Sequence, residues 1–118
     1  MRILFVEDEG DARLLVGDGL RLAGFSVRLA EDGVVAMQAL REETYDAVVT
    51  DVSMPNGVSG IEVAEEALRR DPSARVLIVS GHARGQLPPL PDGVTYLPKP
   101  YRLPQLIAAL NAMLSGAA

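Results

Sequence analysis

Several short apolar runs in this sequence end in polar residues that could share one site. Ile3–Val6 runs into Glu7-Asp8, Ala47–Val49 into Thr50-Asp51, and Val76–Val79 into Ser80-Gly81. Val94–Leu97 leads, after a short extension, to Lys99-Pro100. Carboxylates held close together repel, so at neutral pH they need a proton or a cation. Hard oxygen donors suit Mg²⁺, which takes a few carboxylates, keeps several waters and accepts a phosphate oxygen. Lys99 adds an ammonium that can pair with Asp51 or with an added phosphoryl group. The Ser80 hydroxyl can donate to a phosphoryl oxygen, and Gly81 leaves room beside it. Such a set describes an acceptor site for phosphoryl transfer, where positioning and charge neutralisation do most of the work. Taken singly, each residue has a plainer explanation: an acid after a strand is a common turn or cap, Ser80 a turn residue, Lys99 a solvated charge. The combination at four strand ends carries the argument.

Composition narrows the classes. The chain has 118 residues, 16 acidic against 11 basic, for a formal charge of −5. One basic residue is lysine, Lys99; the others are arginine. There is one histidine, His82, and no cysteine or tryptophan. Disulfides, thiolate zinc sites and a cysteine nucleophile are excluded, and one histidine cannot build a His-rich metal cluster. The acidic balance argues against direct nucleic-acid binding. The N-terminal apolar run is too short for a signal peptide, and no stretch approaches the roughly 18 apolar residues of a membrane span. The expectation is one cytoplasmic domain over residues 1–118, with no membrane association.

The elements that must position the site alternate. The runs at 3–6, 27–29, 47–49 and 76–79 are rich in Val, Ile and Leu and too short for helices. Three of them lack polar alternation, as strands buried on both faces of a parallel sheet do. Val94–Leu97 is a weaker fifth strand. Helix-like segments cover Gly10–Ala23, Gly33–Arg41, Gly60–Arg70 and Leu103–Leu114. Gly24 stops the first, Asp32 can cap the second, Asp71-Pro72 ends the third, and Pro104 fits the first turn of the last. In the last, Leu103, Leu106, Ile107, Leu110 and Leu114 form one apolar face. Right-handed crossovers then give an α/β fold, a doubly wound five-stranded parallel sheet with strand order 2-1-3-4-5. Between the fourth and fifth strands, GHARGQLPPLPDG carries Pro88, Pro89 and Pro91, so at most one helical turn is expected there. That segment reads as a shortened crossover loop, with a partner-binding surface as the sharper alternative. Gly17 and Gly19 weaken the first helix by roughly 1 kcal/mol each relative to alanine, for no reason visible in the sequence.

FVEDE, VVTDVSMP, LIVSG and YLPKPY together resemble the response-regulator receiver domain (CheY-like) of two-component signalling, over residues 1–115. The resemblance implies a flavodoxin-like fold in which Asp51 accepts a phosphoryl group from a phosphohistidine on a histidine kinase or a histidine phosphotransfer protein. It implies Mg²⁺ held by Glu7, Asp8, Asp51 and the main-chain carbonyl of Ser53, with Ser80 and Lys99 contacting the phosphoryl group. It implies a cis Lys99–Pro100 bond. It also implies a switch in which Ser80 moves toward the phosphoryl group and Tyr96 rotates inward, against the simpler reading of Tyr96 as a half-buried strand residue. The protein would catalyse only its own phosphorylation and dephosphorylation.

Some features depart from the family pattern. Gly60 lies nine residues after Asp51, one more than in the best-known single-domain members and similar to stand-alone and hybrid-kinase receivers. The usual fourth helix is shortened or absent, which puts the common dimer surface in doubt and leaves the oligomeric state open, a monomer included. Leu14 and Leu22 could be left exposed where kinases dock in relatives, although single exposed leucines are ordinary. His82 is read as a solvated loop residue, with a role as local base or gate as the alternative. Three further classes compete. A degenerate receiver acting only as a binding module would lack site residues that this chain has. An aspartyl-nucleophile phosphatase usually carries a second acid two residues after the nucleophile, where Ser53 stands. A flavodoxin-like cofactor carrier would need a phosphate cradle where Glu7-Asp8-Glu9 lie.

Overall fold

The computed structural model describes residues 1–115. The elements run β1 (Arg2–Val6), α1 (Gly10–Leu22), β2 (Ser26–Ala30), α2 (Gly33–Glu42), β3 (Ala47–Asp51), α3 (Gly60–Arg70), β4 (Arg75–Ser80), β5 (Val94–Pro98) and α4 (Leu103–Leu114). All strands are parallel, in the expected order β2-β1-β3-β4-β5. Among the described residues no helix is long and apolar enough to cross a membrane.

Alternation along the strands divides the core. Leu4, Val6, Val48, Val76 and Ile78 face α2 and α3, where Ala36, Ala39, Val63, Ala64 and Ala67 receive them. Ile3, Phe5, Val49, Leu77 and Val79 face α1 and α4, meeting Leu20, Leu106 and Leu110. Both faces of β1, β3 and β4 are buried, which is why their sequences show no polar alternation. Each such Val, Leu or Ile contributes ~1.5–3 kcal/mol. Strands β3, β4 and β5 all extend past their apolar runs, so Asp51 and Ser80 are themselves strand residues.

Helix boundaries follow local chemistry. Asp32 caps α2, its carboxylate accepting from the Val35 amide at 2.8 Å. Pro104 sits in the first turn of α4, and Gly24 follows α1 with φ +100°. The β4–β5 connection contains only a 3-10 turn, Arg84–Gln86, as the prolines predict. Close packing accounts for Gly17 and Gly19 in α1. A Cβ on Gly19 would lie 2.2 Å from Leu103 Cδ2, and one on Gly17 would lie 2.8 Å from Leu29 Cδ2. The weaker helix lets α1 approach α4 and the sheet. On its outer face Leu14, Leu15 and Leu22 are all exposed.

Candidate functional site

The carboxyl ends of β1, β3, β4 and β5 meet in one place, where main-chain bonds fix Glu7, Asp51, Ser80 and Lys99. Asp51 ends β3 opposite Val79. Its Oδ1 accepts from the Val52 amide at 2.7 Å, and its carbonyl accepts from Thr50 Oγ1 at 2.9 Å. The following loop returns to the strand, with the Gly60 amide donating to the Val52 carbonyl at 2.8 Å. Gly60 passes so close that a Cβ would lie 1.7 Å from the Asp51 carbonyl oxygen, so only glycine fits.

Glu7 is nearly sealed, 3% exposed, whereas Asp8 is open to solvent. The Glu7 amide donates to the Ala30 carbonyl at 3.0 Å, and its Oε2 accepts from the Glu9 amide at 3.2 Å. Carboxylate oxygens of Glu7, Asp8 and Asp51 lie within 4.8 Å of one another. Lys99 enters from β5. Its amide donates to the Ser80 carbonyl at 2.7 Å, and the Lys99–Pro100 peptide is cis, as expected. Its Nζ donates to Asp51 Oδ2 at 2.6 Å and to Glu7 Oε1 at 3.0 Å. Burial pulls the lysine's pKa down, but the hydrogen bonds to Asp51 and Glu7 outweigh it and hold the pKa above the ordinary value. Lys99 is therefore an ammonium at neutral pH. Nearby, burial pushes the Tyr101 phenol up, and the charge of Glu7 adds to the effect.

Ser80 is buried at the end of β4, and its Oγ accepts from the His82 amide at 3.0 Å. Tyr96 is half-buried on β5, and its hydroxyl donates to the His82 carbonyl. His82 thus contributes its backbone, linking the two residues expected to switch, while the residue itself is exposed. Among the described residues Ser80 makes no side-chain hydrogen bond to Asp51 or Lys99. Ser53 is exposed in the turn after β3.

Three supporting residues escaped sequence reasoning. Glu9 caps α1, accepting from the amides of Asp11 and Ala12 at 3.1 and 2.6 Å. Arg13 Nη1 donates to the carbonyls of Glu7 and Asp8 at 2.9 and 3.4 Å. Asn56, in the left-handed region at φ 70°, donates from Nδ2 to Asp32 Oδ2 at 2.6 Å and ties the long β3–α3 loop to the start of α2. The Val35 amide, opposed by burial and aided by Asn56, holds Asp32 below its usual value. The Asn56-Gly57 pair marks a turn in the sequence; Arg13 carried no signal.

The cluster's charge defines what it can hold. Three carboxylates against one ammonium leave two negative charges, and every donor is a hard oxygen. That set fits a divalent cation of the Mg²⁺ type.

The family model for the response regulator receiver domain matches residues 3–111. The response regulator receiver protein CpdR of Brucella abortus is 34% identical, over 98% of this chain and 98% of its own length. The transcriptional regulatory protein PrrA of Mycobacterium tuberculosis is 36% identical over 96% of this chain, which spans 49% of its length. Among solved structures, the receiver domain of the hybrid histidine kinase CckA superposes with a TM-score of 0.83 at 34% identity, covering 97% of this chain and 99% of that one. The response regulator TrrA of Thermotoga maritima, solved with Mg²⁺ and BeF, gives 0.84 at 29% identity, covering 96% and 98%. TrrA has also been solved in complex with the histidine kinase ThkA. The chain belongs to the response regulator receiver domain family of two-component signalling.

Proposed function

We propose that residues 1–118 act as a single cytoplasmic receiver domain whose Asp51 accepts a phosphoryl group from a phosphohistidine on a histidine kinase or histidine phosphotransfer protein. One observation carries this reading: Lys99 Nζ sits 2.6 Å from Asp51 Oδ2 inside the Glu7–Asp8–Asp51 cluster. A carboxylate oxygen of Asp51 forms the new O–P bond as the P–N bond to the imidazole breaks. The electron pair stays on the departing nitrogen, which takes up a proton. Glu7, Asp8, Asp51 and the Ser53 carbonyl would hold Mg²⁺, which when bound neutralises charge on the phosphoryl oxygens. Lys99 offers its ammonium to the same oxygens, and Ser80 offers its hydroxyl hydrogen once it turns toward them. Ser80 and Tyr96 then form the switch, because turning the Ser80 hydroxyl away releases the His82 amide, while Tyr96 holds the carbonyl of the same residue. No catalysis beyond the protein's own phosphorylation and dephosphorylation is proposed. The TrrA complexes with Mg²⁺–BeF and with ThkA support the cofactor and partner classes by analogy.

The test is incubation with Mg²⁺ and either acetyl phosphate or beryllofluoride. A phosphoryl adduct by mass, and tyrosine and backbone spectral changes with either reagent, are expected, all lost in Asp51→Asn. Absence of both adduct and Mg²⁺ binding would replace this reading with that of a degenerate binding module.

A further inference from the structure

We propose that Arg13 is a positioning residue for the acidic site, holding the main chain of Glu7 and Asp8 so that the Asp8 carboxylate faces Asp51. This rests on the reading of Glu7, Asp8 and Asp51 as a cation site. Glu7 needs little help, because Lys99 and the Glu9 amide hold its two carboxylate oxygens. Asp8 differs. Among the described residues its carboxylate has no hydrogen bond or ion pair, so its aim depends on its backbone alone.

That backbone lies outside the β1 ladder and ahead of α1. Among the described residues, the only hydrogen bonds accepted by the carbonyls of Glu7 and Asp8 come from Arg13 Nη1, at 2.9 and 3.4 Å. Glu9 secures the segment from the opposite direction, its carboxylate accepting from the amides of Asp11 and Ala12. The exit from β1 is thus pinned to the first turns of α1 twice, by the Arg13 guanidinium on the carbonyls of Glu7 and Asp8 and by the Glu9 carboxylate on the amides of Asp11 and Ala12. Arg13 is half-buried and, among the described residues, pairs with no carboxylate within 4.0 Å. It holds peptide oxygens and leaves the acids available. Groups that orient metal ligands in this way typically cost 10–100-fold in affinity when removed.

The experiment compares wild type, Arg13→Gln and Arg13→Lys in a Mg²⁺ titration followed by the amide signals of Asp8 and Asp51. Amide exchange of residues 7–9 without Mg²⁺ and the thermal midpoint are recorded alongside. The sign is diagnostic. A cation that acted only through its charge would repel Mg²⁺, so removing it would tighten binding. A positioning residue gives the opposite: about tenfold weaker binding in Arg13→Gln, partial recovery in Arg13→Lys, and faster exchange at residues 7–9. Tighter or unchanged Mg²⁺ affinity in Arg13→Gln overturns the proposal even if the midpoint falls. If Arg13→Gln does not fold, Arg13→Lys decides it, since Mg²⁺ affinity in Arg13→Lys equal to wild type leaves nothing for the guanidinium geometry to do. Wild type that binds no Mg²⁺ overturns the cation-site reading itself, a result distinct from either.

Discussion

Replacing Gly60 by alanine should damage both stability and the site, and the structure sets the scale. The new Cβ would sit 1.7 Å from the Asp51 carbonyl oxygen, 2.7 Å from its carbon and 3.0 Å from Thr50 Oγ1. Ordinary carbon–oxygen contacts lie near 3.3 Å, so the two backbones must part by about 1.6 Å. Neither is a flexible side chain. Overpacking of this kind costs ~1–3 kcal/mol. Separation also strains the Gly60–Val52 and Thr50–Asp51 hydrogen bonds, each worth ~1 kcal/mol. Helix propensity returns less than ~1 kcal/mol, because Gly60 is only the first residue of α3. The net expectation is about 3 kcal/mol of destabilisation. For a chain of this length the unfolding entropy is roughly 0.25 kcal/mol/K, so the midpoint should fall by roughly 12 °C. Thermal and urea melts measure this, with Gly85→Ala as control, because a Cβ there meets nothing within 4 Å. Phosphorylation of Asp51 by acetyl phosphate should slow in Gly60→Ala, since the shift falls on the residue proposed to react. A Gly60→Ala midpoint within about 3 °C of wild type would refute the close-approach argument.

Gly19→Ala meets the far end of the Leu103 side chain at 2.2 Å, so that side chain can yield and the loss should be smaller, about 1 kcal/mol. A double-mutant cycle with Leu103→Ala should show the two substitutions compensating; strict additivity would disprove the contact. On α3, Arg69 and then Arg70 hold Glu66 at a pKa of about 2, below the ordinary 4.5. A depressed carboxylate stabilises the fold above its unfolded value and loses that contribution as pH falls through the folded value. Acid destabilisation between pH 4.5 and about 2 should therefore be shallower in Glu66→Gln. Added salt should raise the Glu66 midpoint in an NMR titration, because the pair is at the surface. A midpoint near 4.5 at low salt would contradict the pairing.

What could be read beforehand was local or periodic. The continuous apolar runs of β1, β3 and β4, the stripe on α4, the Asp32 cap and the three prolines before β5 each state their structure within a few residues. The acids, serine and lysine could be placed because parallel strands deliver their carboxyl ends to one edge. What could not be read depends on partners far along the chain or on main-chain atoms. Gly17 answers to Leu29, Gly19 to Leu103, and Gly60 to a carbonyl oxygen. Arg13 binds peptide oxygens, and His82 acts through its amide and carbonyl, so neither role leaves a trace in side-chain type. The half-buried β5 was the faintest strand because the sheet edge demands least of its sequence.

The sequence contains one lysine, and the fold places its nitrogen against two carboxylates. Held as an ammonium, Lys99 has no lone pair to offer an acyl donor. Acetyl phosphate carries an acyl group at one end and a phosphoryl group at the other. On the proposed function, Asp51 and Glu7, by keeping the amine protonated, would direct that reagent toward the carboxylate and away from the neighbouring nitrogen. The same ion pairs proposed to ready the site for one electrophile would protect its only side-chain amine from the other.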